Sequence, residues 1–222
     1  MPRTTLATLL FAGVVTSLLI AQDEENLTSG PKVGTFLPGP FECYNVNGPA
    51  AGRQRCLVCQ FGLSPAVLIF TKEQPADKDV ALVELVKQFD EAAEEFKDRE
   101  FSVGVVFLSP DGTDSTNNAA EEDAKKIIEE TVKRTALVAR LKDRAKDKLK
   151  HAVLAYYLPA GPKTYKLNAK ADVTILYYER LKIQESWVFA AGGILDKDVE
   201  PIIKRVREGV TGKKKAEEKP KL

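Results

Sequence analysis

Two cysteines separated by two residues are the part of the sequence best able to do chemistry. Cys56 and Cys59 form a C-x-x-C pair, the spacing at which a thiolate and a second thiol close a small disulfide ring. Arg53 and Arg55 lie just before the pair, and nearby cations stabilise a thiolate. We therefore expect the Cys56 thiolate to attack a partner disulfide and Cys59 to resolve the mixed disulfide that results.

A third cysteine, Cys43, leaves a different pairing open. If two short strands meet around the loop 47–52, Cys43 faces Cys56 across the hairpin. A structural Cys43–Cys56 disulfide is then an alternative to the redox pair, and Cys43 is an alternative resolving thiol. The two hypotheses differ in Cys56, because a redox pair needs a partly exposed, reactive thiol whereas a structural disulfide is buried and resists reduction.

Metal binding is a third chemistry that these residues allow. The three cysteines and His151, the one histidine of the chain, would supply a Cys3His zinc set. A zinc ribbon normally shows two closely spaced ligand pairs, and His151 lies far along the chain from the cysteines. We therefore predict no metal site, and nothing in the sequence implies an organic cofactor.

The elements that must position the cysteines follow from the apolar pattern. Continuous or alternating apolar runs predict five strands of a central sheet, over 66–71, 101–108, 152–158, 173–179 and 182–189. Two shorter strands, 41–46 and 53–61, precede them as a hairpin. Apolar residues at helical spacing predict three helices, beginning near Asp77, Asn118 and Asp196. This order predicts an α/β domain in which helices flank a mixed five-stranded sheet, with a short N-terminal hairpin.

The first 21 residues have the pattern of a secretory signal peptide. Arg3 precedes an apolar run over 6–20, and Ala21 stands before an acidic stretch. We expect cleavage near Ala21 and a periplasmic or secreted mature protein, with an uncleaved N-terminal anchor as the alternative. The rest divides into a flexible Pro/Gly-rich tether, the folded domain and a charged disordered tail, over 22–40, 41–211 and 212–222 respectively.

Composition excludes several function classes. The 222 residues carry 33 Lys and Arg against 32 Asp and Glu, a formal charge of +1, so the chain has no general attraction for nucleic acid. A single histidine argues against a multi-histidine metal site. The expected partner is another exported protein that offers a disulfide or serves as a redox partner. We expect no nucleic-acid partner and no membrane contact beyond the anchor, and the sequence leaves the oligomeric state open.

The order of elements resembles the thioredoxin-like superfamily, most closely its redoxin and peroxiredoxin-like branch. In that branch a proline, a short strand, an Asn/Asp-Gly turn and a second short strand precede the first core strand. Here Pro40, the strand from Cys43 to Val46, Asn47-Gly48 and the core run 66–70 occupy those places. The similarity covers residues 33–210, and it implies a thioredoxin-like fold and thiol–disulfide oxidoreductase activity.

Two departures from the family pattern bear on the implied activity. Family enzymes place the reactive cysteine in the loop after the first core strand, and the loop 72–77 has no cysteine, so the C-x-x-C is displaced to a position before that strand. Many members also have a cis-proline before the threonine that Thr174 matches, where this chain has Val173. The competing function is therefore a non-catalytic thioredoxin-like binding module that contains a structural Cys43–Cys56 disulfide.

Overall fold

The computed structural model describes residues 27–73, 79–112, 124–146 and 148–212. The predicted signal peptide, the predicted tail beyond residue 212 and the predicted helix starts at Asp77 and Asn118 lie outside these ranges. Among the residues described, no helix combines the length and apolar character needed to cross a bilayer.

Seven strands form one mixed sheet. In chain order they are β1 (Cys43–Asn45), β2 (Arg53–Arg55), β3 (Ala66–Lys72), β4 (Ser102–Leu108), β5 (Val153–Tyr157), β6 (Val173–Glu179) and β7 (Lys182–Phe189). Across the sheet their order is β2-β1-β5-β4-β3-β6-β7. The five predicted core strands are therefore contiguous, and the predicted hairpin extends the same sheet beside β5, which brings the count to seven.

The sheet is parallel at its centre and antiparallel at both sides. Strands β3, β4 and β5 run parallel to one another, while β6 and β7 form the predicted antiparallel hairpin beside β3. Because the central strands are covered on both faces, their sequences are continuous apolar runs rather than alternating ones.

In the described part of the chain, four α-helices cover the two faces: α1 (Leu57–Phe61), α2 (Val80–Glu95), α3 (Ala124–Ala145) and α4 (Asp196–Val210). Residues of α2, α4 and the second half of α3 form one buried cluster on the first face. On the opposite face α1 packs with Phe41 and Tyr165 in a second cluster. We call this second side the α1 face.

The predicted apolar stripe of the long helix is only partly buried. Leu137, Leu141 and Ala145 of α3 are buried, but Ile128, which the periodicity places inside, is 62% exposed. The first turns of α3 therefore extend past the body of the domain.

Part of the segment predicted as a tether is attached to the sheet. The backbone N–H groups of Gly34 and Leu37 donate to the carbonyls of Ile183 and Leu181, and Ile183 N–H donates to Thr35. Phe36 forms a bridge with Lys182 of β7. Residues 34–37 thus occupy the outer edge of β7.

Candidate thiol–disulfide site

The C-x-x-C pair lies where the hairpin ends and α1 begins. The strand predicted over 53–61 is wrong beyond Arg55, because Cys56 is the N-terminal cap of a helix. Its sulfur accepts a hydrogen bond from the backbone N–H of Cys59 at 3.1 Å. The apolar residues Leu57, Val58 and Phe61 fit a helix that buries one side, so Cys59 lies on the other side.

Cys56 and Cys59 form a disulfide, with their Cα atoms 5.2 Å apart. This separation is ordinary for a bridged pair. Cys59 is exposed, while Cys56 is half-buried and packs against the cluster on the α1 face. The half of the pair that a partner molecule reaches first is therefore Cys59.

Cys43 does not pair with Cys56, so the alternative of a structural Cys43–Cys56 disulfide is wrong. The register of the hairpin is one residue from the predicted one: Cys43 lies opposite Arg55, and Asn45 opposite Arg53. The shift arises at the end of the loop, where the N–H of Gly52 donates to the carbonyl of Asn45.

The buried position of Cys43 makes it a poor candidate for thiol chemistry. Its side chain is only 1% exposed, and its thiol donates to the carbonyl of Arg55 at 3.3 Å. Burial raises the pKa of the Cys43 thiol to about 12 against the smaller, opposite effect of the Leu57 backbone N–H. A thiol with that pKa is protonated at neutral pH, so the structure does not support Cys43 as a resolving thiol.

The disulfide lies at the carboxyl-terminal edge of the parallel strands. Strands β2 and β5 both pair antiparallel to β1 and so run in the same direction. Tyr44 of β1 pairs with Tyr156 of β5, so the neighbouring pair, Cys43 with Arg55, lies level with the end of β5. Cys56 follows Arg55 directly. The loop after β3, where enzymes of the superfamily that the sequence resembles carry their cysteine, leaves this same edge four strands away.

A glycine that the sequence reasoning did not single out makes room for α1. A Cβ atom at Gly104 of β4 would lie 2.9 Å from Leu57 Cδ1 and 3.1 Å from the ring of Phe61. The helix therefore sits directly against the backbone of β4. The signal in the sequence is a glycine inside an otherwise valine-rich strand, which marks a close approach.

Arg53 and Arg55 are both exposed on β2. Residues directly opposite in an antiparallel pair share a face, so both side chains lie on the α1 face with the buried sulfur of Cys43. Neither guanidinium has a hydrogen-bond or ion-pair partner among the residues described. The predicted cations thus precede the disulfide on the same side of the sheet.

The structure does not assemble the Cys3His set. His151 precedes β5, at the end of that strand remote from the disulfide, and its Nε2 lies 3.0 Å from Glu94 Oε2. Across the described ranges there is no cluster of three or more potential ligands of the Cys, His, Asp or Glu type.

No protein-family model matches the sequence, and no curated protein sequence matches it either. Solved structures do match the fold of this chain. A candidate protein disulfide isomerase from Bacteroides thetaiotaomicron superposes with a TM-score of 0.52 at 12% identity, over 83% of this chain and 95% of that one. A 2-Cys peroxiredoxin from Plasmodium vivax gives 0.49 at 17% identity, over 82% and 99%. An exposed lipoprotein thioredoxin from Streptococcus pneumoniae gives 0.45 at 17% identity, over 77% and 99%.

The first of these similarities carries the conclusion about the fold, and it agrees with the strand order and with the sequence resemblance. At such low identity it says nothing about activity. The chain thus has a thioredoxin-like fold, and its C-x-x-C disulfide lies before the first core strand.

Proposed function

We propose that the chain carries out thiol–disulfide exchange through Cys56 and Cys59. The observation that carries the proposal is their unequal setting: Cys59 is exposed, while the half-buried sulfur of Cys56 accepts the Cys59 N–H at 3.1 Å. A hydrogen bond from a backbone N–H stabilises negative charge on the acceptor. Cys56 is therefore suited to be the thiolate that leaves, and Cys59 to form the mixed disulfide with the partner.

Exchange with a partner dithiol then has two balanced steps. A partner thiolate attacks Cys59 Sγ, the Cys56–Cys59 bond breaks, and its electron pair leaves on Cys56 Sγ, which the Cys59 N–H stabilises. The partner's second thiolate attacks the partner sulfur of the mixed disulfide and releases Cys59 as a thiolate. The partner departs with a new disulfide, and this chain has gained two electrons.

The same steps in reverse reduce a partner disulfide. Cys59 attacks the partner, and Cys56 then attacks Cys59 Sγ to restore the bond within this chain. This order exchanges the roles that the flanking arginines suggested, because exposure decides which sulfur a bulky partner can reach. The direction of net flow follows from the reduction potential of this pair relative to that of its partner.

The proposal includes export, with another exported protein as the partner. Its support is the signal-like pattern that ends at Ala21, since disulfides persist in oxidising compartments. Proteins that contain disulfides are common in such compartments, so partners for the exchange are present there.

The experiment follows the rate at which a two-cysteine peptide is oxidised in glutathione buffer, with and without the purified chain. We expect the wild-type chain to accelerate the reaction and both C56S and C59S to abolish the acceleration. C43S is the matched control and retains it, with the fold of every variant checked by circular dichroism. A wild-type chain without effect, or a C59S variant as fast as the wild type, would overturn the proposal.

A further inference from the structure

We propose that the free edge of β2 docks an extended, acidic segment of the partner protein and so brings the partner's cysteine to the disulfide. This inference rests on the proposed function and adds to it the class of partner. Three observations carry it: a sheet edge and two arginines that have no partner among the described residues, and the direct passage of the chain from that edge into Cys56.

The two edges of the sheet are unequal. Beyond β7, residues 34–37 form backbone hydrogen bonds that cover the edge strand. Strand β2 pairs only with β1 in the described part of the chain, and all three of its residues are exposed. An exposed edge strand presents unpaired backbone donors and acceptors, to which an extended peptide can add as a further strand.

The charge on this edge selects what adds to it. Arg53 and Arg55 are two residues apart on one strand, so their side chains project from the same face, and that is the α1 face. Two neighbouring cations that have no carboxylate partner in the described ranges repel one another, and alternate acidic residues on an added strand would pair with both. Cross-strand pairs of opposite charge stabilise a sheet, and guanidinium groups bind carboxylates in two-pronged geometry.

The position of the edge connects docking with chemistry. Arg55 is followed at once by Cys56, whose sulfur is bonded to the exposed Cys59. A strand paired beside β2 lies about 4.8 Å from it and advances about 3.3 Å per residue. A cysteine just beyond the paired segment is therefore carried toward the Cys56–Cys59 disulfide, where the exchange of the preceding section begins.

The test uses three single-cysteine peptides that differ only in the residues flanking the cysteine, which are acidic, neutral or basic. The rate of mixed-disulfide formation with the oxidised chain is divided by the rate of the same peptide with hydroxyethyl disulfide. This ratio removes the intrinsic reactivity of each thiol. We expect the acidic peptide to exceed the basic one by about tenfold at low salt, and the difference to shrink as salt screens the charges.

Two variants separate docking from general charge. R53E/R55E is expected to reverse the preference, while K204E keeps it, because the exposed Lys204 lies on α4 at the opposite face. Any effect of the arginines on the thiolates is common to all three peptides and leaves their ratio unchanged. An acidic peptide with N-methylated backbone amides cannot add as a strand, so it is expected to lose its advantage.

Equal rates for acidic and basic peptides, or a preference that survives R53E/R55E, would overturn the docking proposal while leaving exchange itself intact. An N-methylated peptide that reacts as fast as its parent would equally overturn strand addition. Failure of the proposed function has a different signature, namely an oxidised chain that exchanges with none of the peptides.

Discussion

The three cysteines show how much the surroundings of a residue decide its chemistry. Cys43 and Cys56 both lie on the α1 face, yet one is a buried thiol and the other is half of an accessible disulfide. The C-x-x-C pair is visible in the sequence, but which cysteine faces which residue depends on the register of a hairpin. A shift of one residue changed the expected partner of Cys43 from Cys56 to Arg55.

Stability at alkaline pH is the residue-scale prediction. Well below pH 9 the Cys43 thiol is protonated in both the folded and the unfolded chain, so its contribution to stability is constant. Its pKa is about 12 in the folded chain against an ordinary value of 9.0. Between these values the unfolded chain releases a proton that the folded chain keeps, so the free energy of unfolding falls as pH rises, by up to about 1.4 kcal/mol per pH unit.

Urea unfolding between pH 8 and pH 10 measures this effect. We expect a shallower decline for C43S than for the wild type, because serine does not titrate in this range. The buried Tyr165, Tyr177 and Tyr178, whose pKa values burial raises, act in the same direction at higher pH, and they do so in both proteins. Identical slopes for the two proteins would contradict a buried Cys43 thiol.

At the scale of elements, the long apolar runs predicted the core strands because continuous burial on both faces leaves a clear signal. The secondary structure of the segment 57–61 is harder to predict, since apolar residues at positions 57, 58 and 61 suit either a short strand or one helical turn. What favours the helix is the hydrogen bond from Cys59 N–H to the Cys56 sulfur and the space above Gly104. The hydrogen bond is local, between residues three apart, but the space above Gly104 depends on a strand far along the chain, which a local pattern does not contain.

The packing of α1 on Gly104 gives a prediction for the variant G104A. The added methyl group would lie 2.9 Å from Leu57 Cδ1 and 3.1 Å from the ring of Phe61, so these side chains or the helix that carries them must shift. We expect a loss of about 1–3 kcal/mol in the free energy of unfolding and a changed rate of reduction of the Cys56–Cys59 disulfide by dithiothreitol.

G209A is its matched control. A Cβ atom at Gly209 of α4 would meet the ring of Tyr177 across the opposite face of the sheet. This variant is therefore also expected to lose stability, but its disulfide should be reduced at the wild-type rate. Equal effects of the two variants on that rate would show that the position of α1 does not control the disulfide.

At the scale of the whole molecule, we expect the fold to persist without the disulfide. The Cys56–Cys59 ring closes only four residues, whereas the two buried clusters draw on every strand of the sheet except β2 and on all four helices. A crosslink over so short a loop restricts the unfolded chain little and is worth about 2 kcal/mol. Cycling between oxidised and reduced forms is possible only if the reduced chain stays folded.

We therefore expect the fully reduced chain to unfold cooperatively in urea, with a free energy of unfolding about 2 kcal/mol below that of the oxidised chain. The measurement compares unfolding curves at neutral pH with and without a reductant. C56S/C59S serves as the control without any disulfide and should match the reduced wild type. A reduced chain already unfolded without urea would identify the disulfide as a structural one.

The reduction potential of the Cys56–Cys59 pair tests the account most directly. The purified chain is equilibrated with glutathione buffers of graded potential and quenched with acid, and its cysteine peptides are mapped by mass without reduction. We expect Cys56 and Cys59 to interconvert with a midpoint between about −270 and −120 mV, while Cys43 stays a free thiol throughout. A midpoint below about −300 mV, or any bridge that includes Cys43, would contradict a thiol–disulfide exchange site at this position.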